Sequence, residues 1–444
     1  MIIVDTALRE RVQEGRPVRV GLVGAGFMGA AIARQIATAV PGLELSAIAN
    51  RTPDRAVEAY GKAGREDVRV VTSRTALEEC VAAGRPAVTD DPALVCEAEG
   101  IEVIVEATGA VEFAAGVVVR AIASGKHVIA VSAELDGTVG PILKRRADEA
   151  GVIFTGADGD QPGAEMNLYR FVVGIGLEPL LCGNVKGLLD HYRTPETQEG
   201  FARQWGQRAP MVTGFADGTK ISYEQAVVAN ATGMRVARRG MVGYRYDGRV
   251  DDPEHLALYD EEALRSMGGA VDYVLGASPG AGVFVLAAAG DPEQRRHLDL
   301  YKMGAGPLYC FYTPYHLCYF EVPLTIARAV LAGDAAIAPR DGPVVEVVAT
   351  AKRDLRADEV LDGIGWYTTY GQCENHEVAR RLDLLPMGLA EGCRLTRDVA
   401  RDEVLRYEDV ELPRGRLADE LWAEQEALFP GAASASEVDA QRPA

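Results

Sequence analysis

Short apolar runs alternate with helix-forming stretches through the first third of the chain. The run VRVGLV at residues 18–23 is rich in β-branched residues, and the alanine-rich segment MGAAIARQIATAV that follows predicts a helix. Four more apolar runs predict further strands, at residues 43–49, 68–71, 103–106 and 128–131. Strands that alternate with helices are typical of a parallel sheet covered on both faces. The pattern therefore predicts a Rossmann-type α/β domain, a doubly wound parallel sheet, over residues 1–155.

The pattern changes after residue 155. Polar, charged and aromatic residues become dense, and glycines and prolines interrupt the helical periodicity, which predicts an α+β substrate domain for catalysis and dimerisation over residues 156–342. The segment LTIARAVL at 324–331 predicts a helix that returns to the first domain. Short β-type segments predict a third domain over residues 343–425, and the apolar-poor residues 431–444 predict a disordered tail. The aromatic stretch PLYCFYTPYHLCYFEVP is expected to be buried or to line a site.

Charge and cysteine content narrow the class of protein. The 444 residues include 46 Lys+Arg and 65 Asp+Glu, a net charge of -19, which repels nucleic acid and anionic membranes. The seven cysteines are scattered without a C-x-x-C pair, and no uncharged apolar run reaches the roughly 18 residues that a membrane span needs. We therefore expect a cytoplasmic protein that binds neither nucleic acid nor membrane. Any phosphate that it binds needs a local basic pocket.

The hexapeptide GAGFMG follows the first predicted strand and opens the first long helix. Gly24, Gly26 and Gly29 fit the G-x-G-x-x-G pattern, in which the glycines make the turn, admit a pyrophosphate and let the helix pack on the sheet. Phe27 and Met28 lie between the glycines and are expected beside the cofactor. Strand, glycine turn and helix in this order predict dinucleotide binding.

The end of the second predicted strand indicates which dinucleotide is bound. An NAD site would place Asp or Glu there, whereas this chain has Asn50 and Arg51. Arg51 can stack on adenine and pair with a 2′-phosphate, so the sequence favours NADPH. The alternative is that Arg51 is a solvated surface residue.

Two later strand ends are expected to face the nicotinamide half of the cofactor. Thr108 and Gly109 follow the buried-looking run EVIVE, and Ala133 and Glu134 follow the run VIAVS. Ligand crevices form at the carboxyl ends of parallel strands, so these four residues are predicted to contact the cofactor.

Positive side chains in the second domain are the candidates for phosphate and carbonyl binding. Lys186, Arg193 and Lys220 lie in polar blocks rather than on amphipathic faces. In an acidic protein, a dianionic substrate requires such focused positive charge. The alternative for each residue is a solvated surface cation.

Acidic residues nearby are candidates for proton transfer or for an oxygen-ligated Mg²⁺ or Mn²⁺ site, and we name Asp158, Asp160, Asp190, Asp217 and Glu224. The spacing of these acids does not establish a metal site. The alternative for the acids of GADGDQPG is a tight turn in which they accept from backbone N–H groups. Lys220 and Glu224 are four residues apart and share a face if the segment is helical, either towards a crevice or as an ion pair. His316 is either a core histidine or a proton donor to a developing alkoxide.

Two family resemblances come from longer strings. The segments GLVGAGFMG, EATG and GKHVIAVSAELD resemble the nucleotide-binding domain of homoserine dehydrogenases, although Ala133 and Glu134 stand where those enzymes usually carry Asn-Lys. The segments GADGDQPGAEMNLYRF, GNVKGLLDHYRTPETQ and FADGTKISYEQAVVANATGM resemble the DRL family, the type II 1-deoxy-D-xylulose 5-phosphate reductoisomerase-like enzymes. The tail, with its two A-x-x-D-L-like and L-T-x-D-V-like halves, resembles a SAF (β-clip) module.

The resemblance implies an NADPH-dependent reductoisomerase-type oxidoreductase that acts on a phosphorylated or polyhydroxy carbonyl compound. Isoprenoid biosynthesis is the pathway that it implies. A plain dehydrogenase of a polyol or hydroxy acid is the first alternative, and a non-catalytic NADPH sensor or carbohydrate-binding protein is the second. We also expect a homodimer, because symmetric dimers are the commonest assemblies of soluble proteins.

Overall fold

The computed structural model describes residues 4–430, and the tail predicted to be disordered lies outside the described residues. The strands are β1 (Val18–Val23), β2 (Leu43–Ala49), β3 (Arg69–Val70), β4 (Ala87–Thr89), β5 (Val103–Glu106), β6 (His127–Ala130), β7 (Phe154–Gly156), β8 (Glu178–Lys186), β9 (Tyr244–Arg245), β10 (Ala270–Leu275), β11 (Val283–Ala288), β12 (Leu308–Thr313), β13 (Val345–Ala351), β14 (Thr369–Asn375), β15 (Arg394–Leu395) and β16 (Val410–Glu411).

Through the first third of the chain, helices alternate with these strands as predicted. They are α1 (Asp5–Gln13), α2 (Phe27–Thr38), α3 (Pro53–Lys62), α4 (Arg74–Ala82), α5 (Pro92–Glu97), α6 (Val111–Ala123), α7 (Ala133–Ala150), α8 (Gln161–Gly174), α9 (Pro195–Trp205), α10 (Ala209–Ala216), α11 (Thr219–Thr232), α12 (Pro253–Leu256), α13 (Glu261–Met267), α14 (Pro292–Leu300), α15 (Cys318–Ala327), α16 (His376–Arg381) and α17 (Leu417–Leu428). A short π-helical turn continues α15.

The first compact unit contains a seven-stranded parallel sheet and comprises residues 4–136, 142–163 and 317–338. The strand order is β3-β4-β2-β1-β5-β6-β7, so β2 and β5 flank β1 on opposite sides. This arrangement confirms the predicted doubly wound α/β fold. A ligand crevice forms where the strand order reverses, outside the carboxyl ends of the central strands.

The segment 317–338 is part of the first unit, where α15 packs on α2. Arg328, just after α15, is buried and forms ion pairs with Asp158 and with Asp334. The hydroxyl of Thr325 donates to Asp158 at 3.0 Å and accepts from its backbone N–H at 2.9 Å. A buried charge is stable only when it is paired and hydrogen-bonded in this way.

The second compact unit comprises residues 137–141, 164–316 and 339–430 of the described chain. It contains a five-stranded mixed sheet in the order β12-β11-β8-β10-β9, with β8 at its centre. The strands β8 and β10 run parallel, and β11 is antiparallel to β8. Every residue of α11 except Lys220 is buried.

The sequence predicted two separate domains for the segments that make up this unit, but α11 packs against the hairpin β13–β14. The hydroxyl of Thr219 accepts from the backbone N–H of Gly371 at 2.9 Å, and the hydroxyl of Ser222 donates to the Gly371 carbonyl at 3.0 Å. The C-terminal hairpin and the preceding segment therefore share one compact unit.

The C-terminal part shows an internal near-repeat, DLRADEVL at 354–361 and DVARDEVL at 398–405. Leu355 and Val399 exchange two backbone hydrogen bonds, at 2.8 and 3.0 Å. Asp358 and Asp402 occupy the same position of the repeat, and both have a positive φ, 65° and 67°. This pairing of two similar halves is compatible with the SAF resemblance, which stays a prediction.

The aromatic stretch that was expected to be buried or to line a site is buried only in part. Tyr309 on β12 is fully buried, whereas Tyr315, Leu317 and Phe320 are exposed where the chain turns into α15. Within residues 4–430, no helix combines the length and the apolar character that crossing a membrane would require.

Candidate functional site

The glycine turn between β1 and α2 has the geometry that the fingerprint predicts. Gly24 has a φ of 104°, which only glycine adopts without strain, and its N–H donates to Ala49 on β2 at 2.8 Å. A Cβ on Gly29 would overlap the carbonyl oxygen of Gly24. A Cβ on Gly26 would meet nothing within 4 Å, so packing does not explain the second glycine. An open backbone at a helix N-terminus fits a dinucleotide pyrophosphate.

The two residues between the glycines differ from each other. Phe27 is exposed at the start of α2, in keeping with a place beside a ligand. Met28 instead is partly buried and packs against the hydrophobic core of the unit. Its predicted contact with the cofactor stays a prediction, because Met28, the fifth residue of the hexapeptide, also packs towards the core.

Alanine substitutions at the two glycines are expected to separate packing from ligand binding. Gly29→Ala should lower the free energy of unfolding by about 1–3 kcal/mol, because the added methyl group overlaps backbone. Gly26→Ala should leave thermal stability nearly unchanged but weaken NADPH binding by about 10-fold or more, or about 1.4 kcal/mol. Thermal unfolding and cofactor titration of both variants check this. Equal NADPH affinity of Gly26→Ala and the unmodified chain would contradict the pyrophosphate assignment.

Asn50, just after β2, holds the glycine turn through hydrogen bonds. Asn50 accepts from the N–H of Ala25 at 2.9 Å and donates to the carbonyl of Thr52 at 2.8 Å. The predicted cofactor contact of Asn50 therefore competes with a structural role. Arg51 is exposed beside it, with no acidic residue at the end of the strand.

The last residue of β5 carries a buried carboxyl group. Glu106 is fully buried, and its Oε1 accepts from the backbone N–H of Thr108 at 2.7 Å and from the Thr108 hydroxyl. Its Oε2 is buried without a hydrogen-bond partner among the described residues. Burial, with a smaller contribution from the charge of Glu134, raises the pKa of Glu106 to about 7. Thr108 is therefore held by Glu106, while Gly109 next to it is exposed with a φ of 74°.

The start of α7 carries a second group of acids. Ser132 donates to Glu134 at 2.9 Å, and Ala133 is buried at the first position of the helix. Asp136 is buried, and neither of its carboxyl oxygens has a hydrogen-bond partner within residues 4–430. Burial raises the pKa of Asp136 to about 7. Carboxyl oxygens at the carboxyl edge of a parallel sheet lie where ligand crevices form, so these oxygens are available to a ligand or to water.

The second unit brings a lysine and two glutamates together. Lys186 is the last residue of β8, and its Nζ lies 3.6 Å from Oε2 of Glu224 on α11. Asn184, two residues earlier on the same face of β8, donates to the same oxygen at 3.3 Å. On α8, Glu165 accepts at 2.7 Å from Gln225, the neighbour of Glu224. We call Lys186, Glu224, Glu165, Asn184 and Gln225 the β8–α11 cluster.

The side chains of the β8–α11 cluster have little solvent exposure. The Lys186 side chain is 15% exposed, the Glu224 side chain is 3% exposed, and Glu165 is fully buried. Burial, together with the charge of Glu224, raises the pKa of Glu165 well above its usual range, although Gln225 and Lys186 act in the opposite direction. The raised pKa favours the protonated form of Glu165, beside a lysine and a second glutamate. Two neighbouring carboxyl groups in different environments are a common basis for acid and base roles.

Three other predicted residues lie around this part of the unit in more exposed positions. Lys220 is the second residue of α11, four positions before Glu224, so the segment is helical as the shared face requires. Asp190 accepts from Arg193 at 3.0 Å, and both side chains are more than a third exposed. This pair satisfies the Arg193 charge locally, which weakens its case as a phosphate ligand.

The five acids proposed for Mg²⁺ or Mn²⁺ do not form a metal site. Asp158 pairs with Arg328 in the first unit, and Asp217 pairs with the buried Lys352 at 2.8 Å in the second. Asp160 lies in the turn before α8, where its N–H donates to Ala157 at 3.3 Å. Within residues 4–430, these acids do not approach one another as metal ligands. Asp158 and Asp160 lie in a turn, as the alternative interpretation of GADGDQPG predicts, but the Asp158 carboxylate binds Arg328.

His316 lies where the chain passes from one compact unit to the other. It is half-buried, and its Nδ1 is 2.9 Å from the carbonyl oxygen of Ala281. The alternative of a core histidine does not hold, since His316 is only half-buried and its neighbours Tyr315 and Leu317 are exposed. Its role as a proton donor stays a prediction.

Two family models match the chain, and the boundary between them lies near residue 155, where the sequence predicted a domain boundary. Residues 24–152 match the model described as the NAD binding domain of homoserine dehydrogenase, and residues 159–322 match the model described as the catalytic domain of oxidoreductase DRL. No curated protein matches the chain.

The comparison with solved structures finds similar chains at low identity. A probable dehydrogenase from Thermotoga maritima is 15% identical over 73% of this chain and 90% of its own, with a TM-score of 0.41. The myo-inositol dehydrogenase from Lactobacillus casei, crystallised with NAD(H) and myo-inositol, is 11% identical over 73% and 89%, with a TM-score of 0.41. A 3-ketoreductase from Actinomadura kijaniata, crystallised with NADP, is 16% identical over 73% and 92%, with a TM-score of 0.35.

Proposed function

We propose that this chain, an NAD(P)-dependent oxidoreductase, reduces a phosphorylated or polyhydroxy carbonyl compound with NADPH. The match of residues 159–322 to the DRL catalytic-domain model and of residues 24–152 to the homoserine dehydrogenase NAD-binding model supports this proposal. The first substrate to test is 1-deoxy-D-xylulose 5-phosphate, whose conversion joins a rearrangement of the carbon skeleton to a reduction. The observation that carries this proposal is the β8–α11 cluster.

The cluster supplies what carbonyl reduction needs. Lys186 Nζ is placed to donate to a substrate carbonyl or phosphate oxygen, and its low exposure strengthens that interaction. Gln225 occupies Oε1 of Glu165, so Oε2, which has no partner among the described residues, is left to carry the acidic proton. A bound reduced nicotinamide supplies the hydride. Glu165 then provides the proton that the developing alkoxide takes up.

Glu224 completes the set for a rearrangement. Its carboxylate is held by Lys186 and Asn184, which keeps it oriented within the dry cluster. A carboxylate in this position can accept the proton of a substrate hydroxyl as that carbon becomes an aldehyde and its carbon–carbon bond migrates to the ketone carbon. The carboxylate then returns the proton to the former ketone oxygen. The aldehyde is the group that is then reduced. A reaction without rearrangement would need only Lys186 and Glu165.

Cofactor choice is expected to depend on Arg51. Replacing Arg51 with Ala should raise the dissociation constant for NADPH by about 10- to 100-fold, because a charge-assisted contact with the 2′-phosphate is lost. The NADH constant should change little. Titration of both cofactors against the variant checks this, and equal losses for the two would show that Arg51 does not read the phosphate.

A substrate panel tests the proposed function. We expect NADPH consumption with 1-deoxy-D-xylulose 5-phosphate, and much less with the dephosphorylated ketose or with homoserine. Product NMR distinguishes a rearranged carbon skeleton from a simply reduced one, which would indicate the plain dehydrogenase. Cofactor binding without turnover across phosphorylated and polyhydroxy carbonyl compounds would overturn the proposal and favour a sensor.

A further inference from the structure

A second buried group of charged side chains lies in the C-terminal part of the second unit. Glu346 is on β13, His376 is the first residue of α16, and Glu426 is near the end of α17. Each side chain offers one potential ligand atom, and the three atoms lie within 4.8 Å of one another. Within residues 4–430, no other set of three such side chains meets this condition.

Two atoms of this group lack hydrogen-bond partners within the described part of the chain. His376 is 5% exposed, and although its Nδ1 contacts Glu346, its Nε2 is buried with no partner. Oε1 of Glu426 is also buried and unpartnered, while its Oε2 contacts Arg380. Buried polar atoms are usually hydrogen-bonded, so these two atoms are free to contact a ligand or water.

The charges around the group leave it net negative. Arg380 offsets one of the two carboxylates, and the neighbouring buried Glu374, opposite Glu346 in the hairpin, is paired with Arg239 at 2.8 Å. The potential ligand atoms of the two carboxylates lie within 4.8 Å of each other, so the carboxylates repel each other. A bound cation would relieve that repulsion.

We propose that His376 and Glu426 bind one divalent transition-metal ion, with Zn²⁺ as the favoured occupant. His376 would supply Nε2 and Glu426 would supply Oε1, the two unpartnered atoms, while Glu346 holds the imidazole through Nδ1 on the side away from the ion. An imidazole nitrogen with a carboxylate oxygen suits Zn²⁺, whereas Mg²⁺ prefers oxygen ligands and retains its water. The three residues come from one strand and two helices, so the ion would hold α16 and α17 to the hairpin β13–β14.

Metal binding to the full chain tests the site. After dialysis against a chelator, equilibrium dialysis should show one Zn²⁺ per chain, and Zn²⁺ should raise the unfolding temperature by mass action. Loss of a mere outer-shell partner of a metal site costs about 10- to 100-fold in affinity, so His376→Gln and Glu426→Gln should lose at least that much. Mg²⁺ at the same concentration should not compete.

Two control variants keep the test specific. Glu374→Gln alters a buried glutamate on the adjacent strand outside the group, and His297→Gln alters an exposed histidine that lies 3.5 Å from Glu293. Both should retain Zn²⁺ binding. X-ray absorption on the unmodified chain, which needs no variant to fold, should show nitrogen and oxygen neighbours at about 2.0–2.2 Å and no sulfur. Absence of Zn²⁺ binding, or binding retained in both His376→Gln and Glu426→Gln, would overturn the proposal.

Discussion

Replacing Lys186 with Ala is expected to lower kcat/KM for the reduced substrate by about 10²- to 10³-fold, or about 2 to 4 kcal/mol. The Lys186 ammonium lies in an almost dry cluster beside Glu224, where its attraction for an anionic or developing negative oxygen is little screened. Steady-state kinetics with the identified substrate measure the loss. The NADPH dissociation constant should remain unchanged, which separates a site defect from misfolding.

The three predicted cations should differ in effect. Arg193→Ala should change kcat/KM far less than Lys186→Ala, because Arg193 is more than a third exposed and paired with Asp190. Lys220→Ala is expected to fall between them, since Lys220 lies on the Glu224 face of α11 but is half-buried. Near-normal turnover in all three variants would contradict the role of this cluster and move attention to Glu106, Glu134 and Asp136.

Replacing Glu165 with Gln is expected to lower kcat by about 10²- to 10⁴-fold, the usual contribution of a positioned proton donor. In the unmodified enzyme, kcat should fall as the pH rises through the raised pKa of Glu165, because the acid loses its proton. The variant cannot titrate at this position, so its residual activity should lack that descending limb. A pH–rate profile of kcat for both proteins checks this.

The same group predicts a stability effect with a definite sign. A folded-state pKa above the unfolded value stabilises the fold at low pH, and this contribution is lost as the pH rises from about 4.3 through the folded pKa. Glu165→Gln should therefore flatten the decline in the free energy of unfolding over that range. Glu374→Gln is the matched control, because Glu374 is buried but paired with Arg239. In the kinetic test, a Glu165→Gln variant whose pH–rate profile of kcat keeps the descending limb would contradict the assignment of Glu165 as the proton donor.

Local sequence signals predicted the first unit closely. The predicted bounds of β1, β2 and β5 agree with the structure, because β-branched runs that end at a glycine turn or helix cap have few other solutions. The fingerprint glycines could be recognised because their role is set by local backbone geometry. Gly24 needs a positive φ, and Gly29 allows no side chain.

Residues paired across long stretches of sequence could not be predicted in this way. Asp158 and Arg328 are 170 positions apart, and Asp217 and Lys352 are 135 apart, so nothing local showed that these acids are neutralised. Glu165 was overlooked inside AEMNLYRF because its raised pKa depends on burial against Gln225 and Glu224. An acid within an otherwise apolar run was the available signal for Glu106, in VIVEATG.

A single-turnover reaction with NADPH deuterated at the transferred position tests the central claim most directly. The account predicts that 1-deoxy-D-xylulose 5-phosphate, or a related phosphorylated carbonyl compound, yields a product that carries one deuterium on the reduced carbon. Lys186→Ala and Glu165→Gln should bind NADPH normally but form this product far more slowly. Deuterium transfer at the normal rate in both variants would contradict the account, because the β8–α11 cluster would then take no part in the reduction.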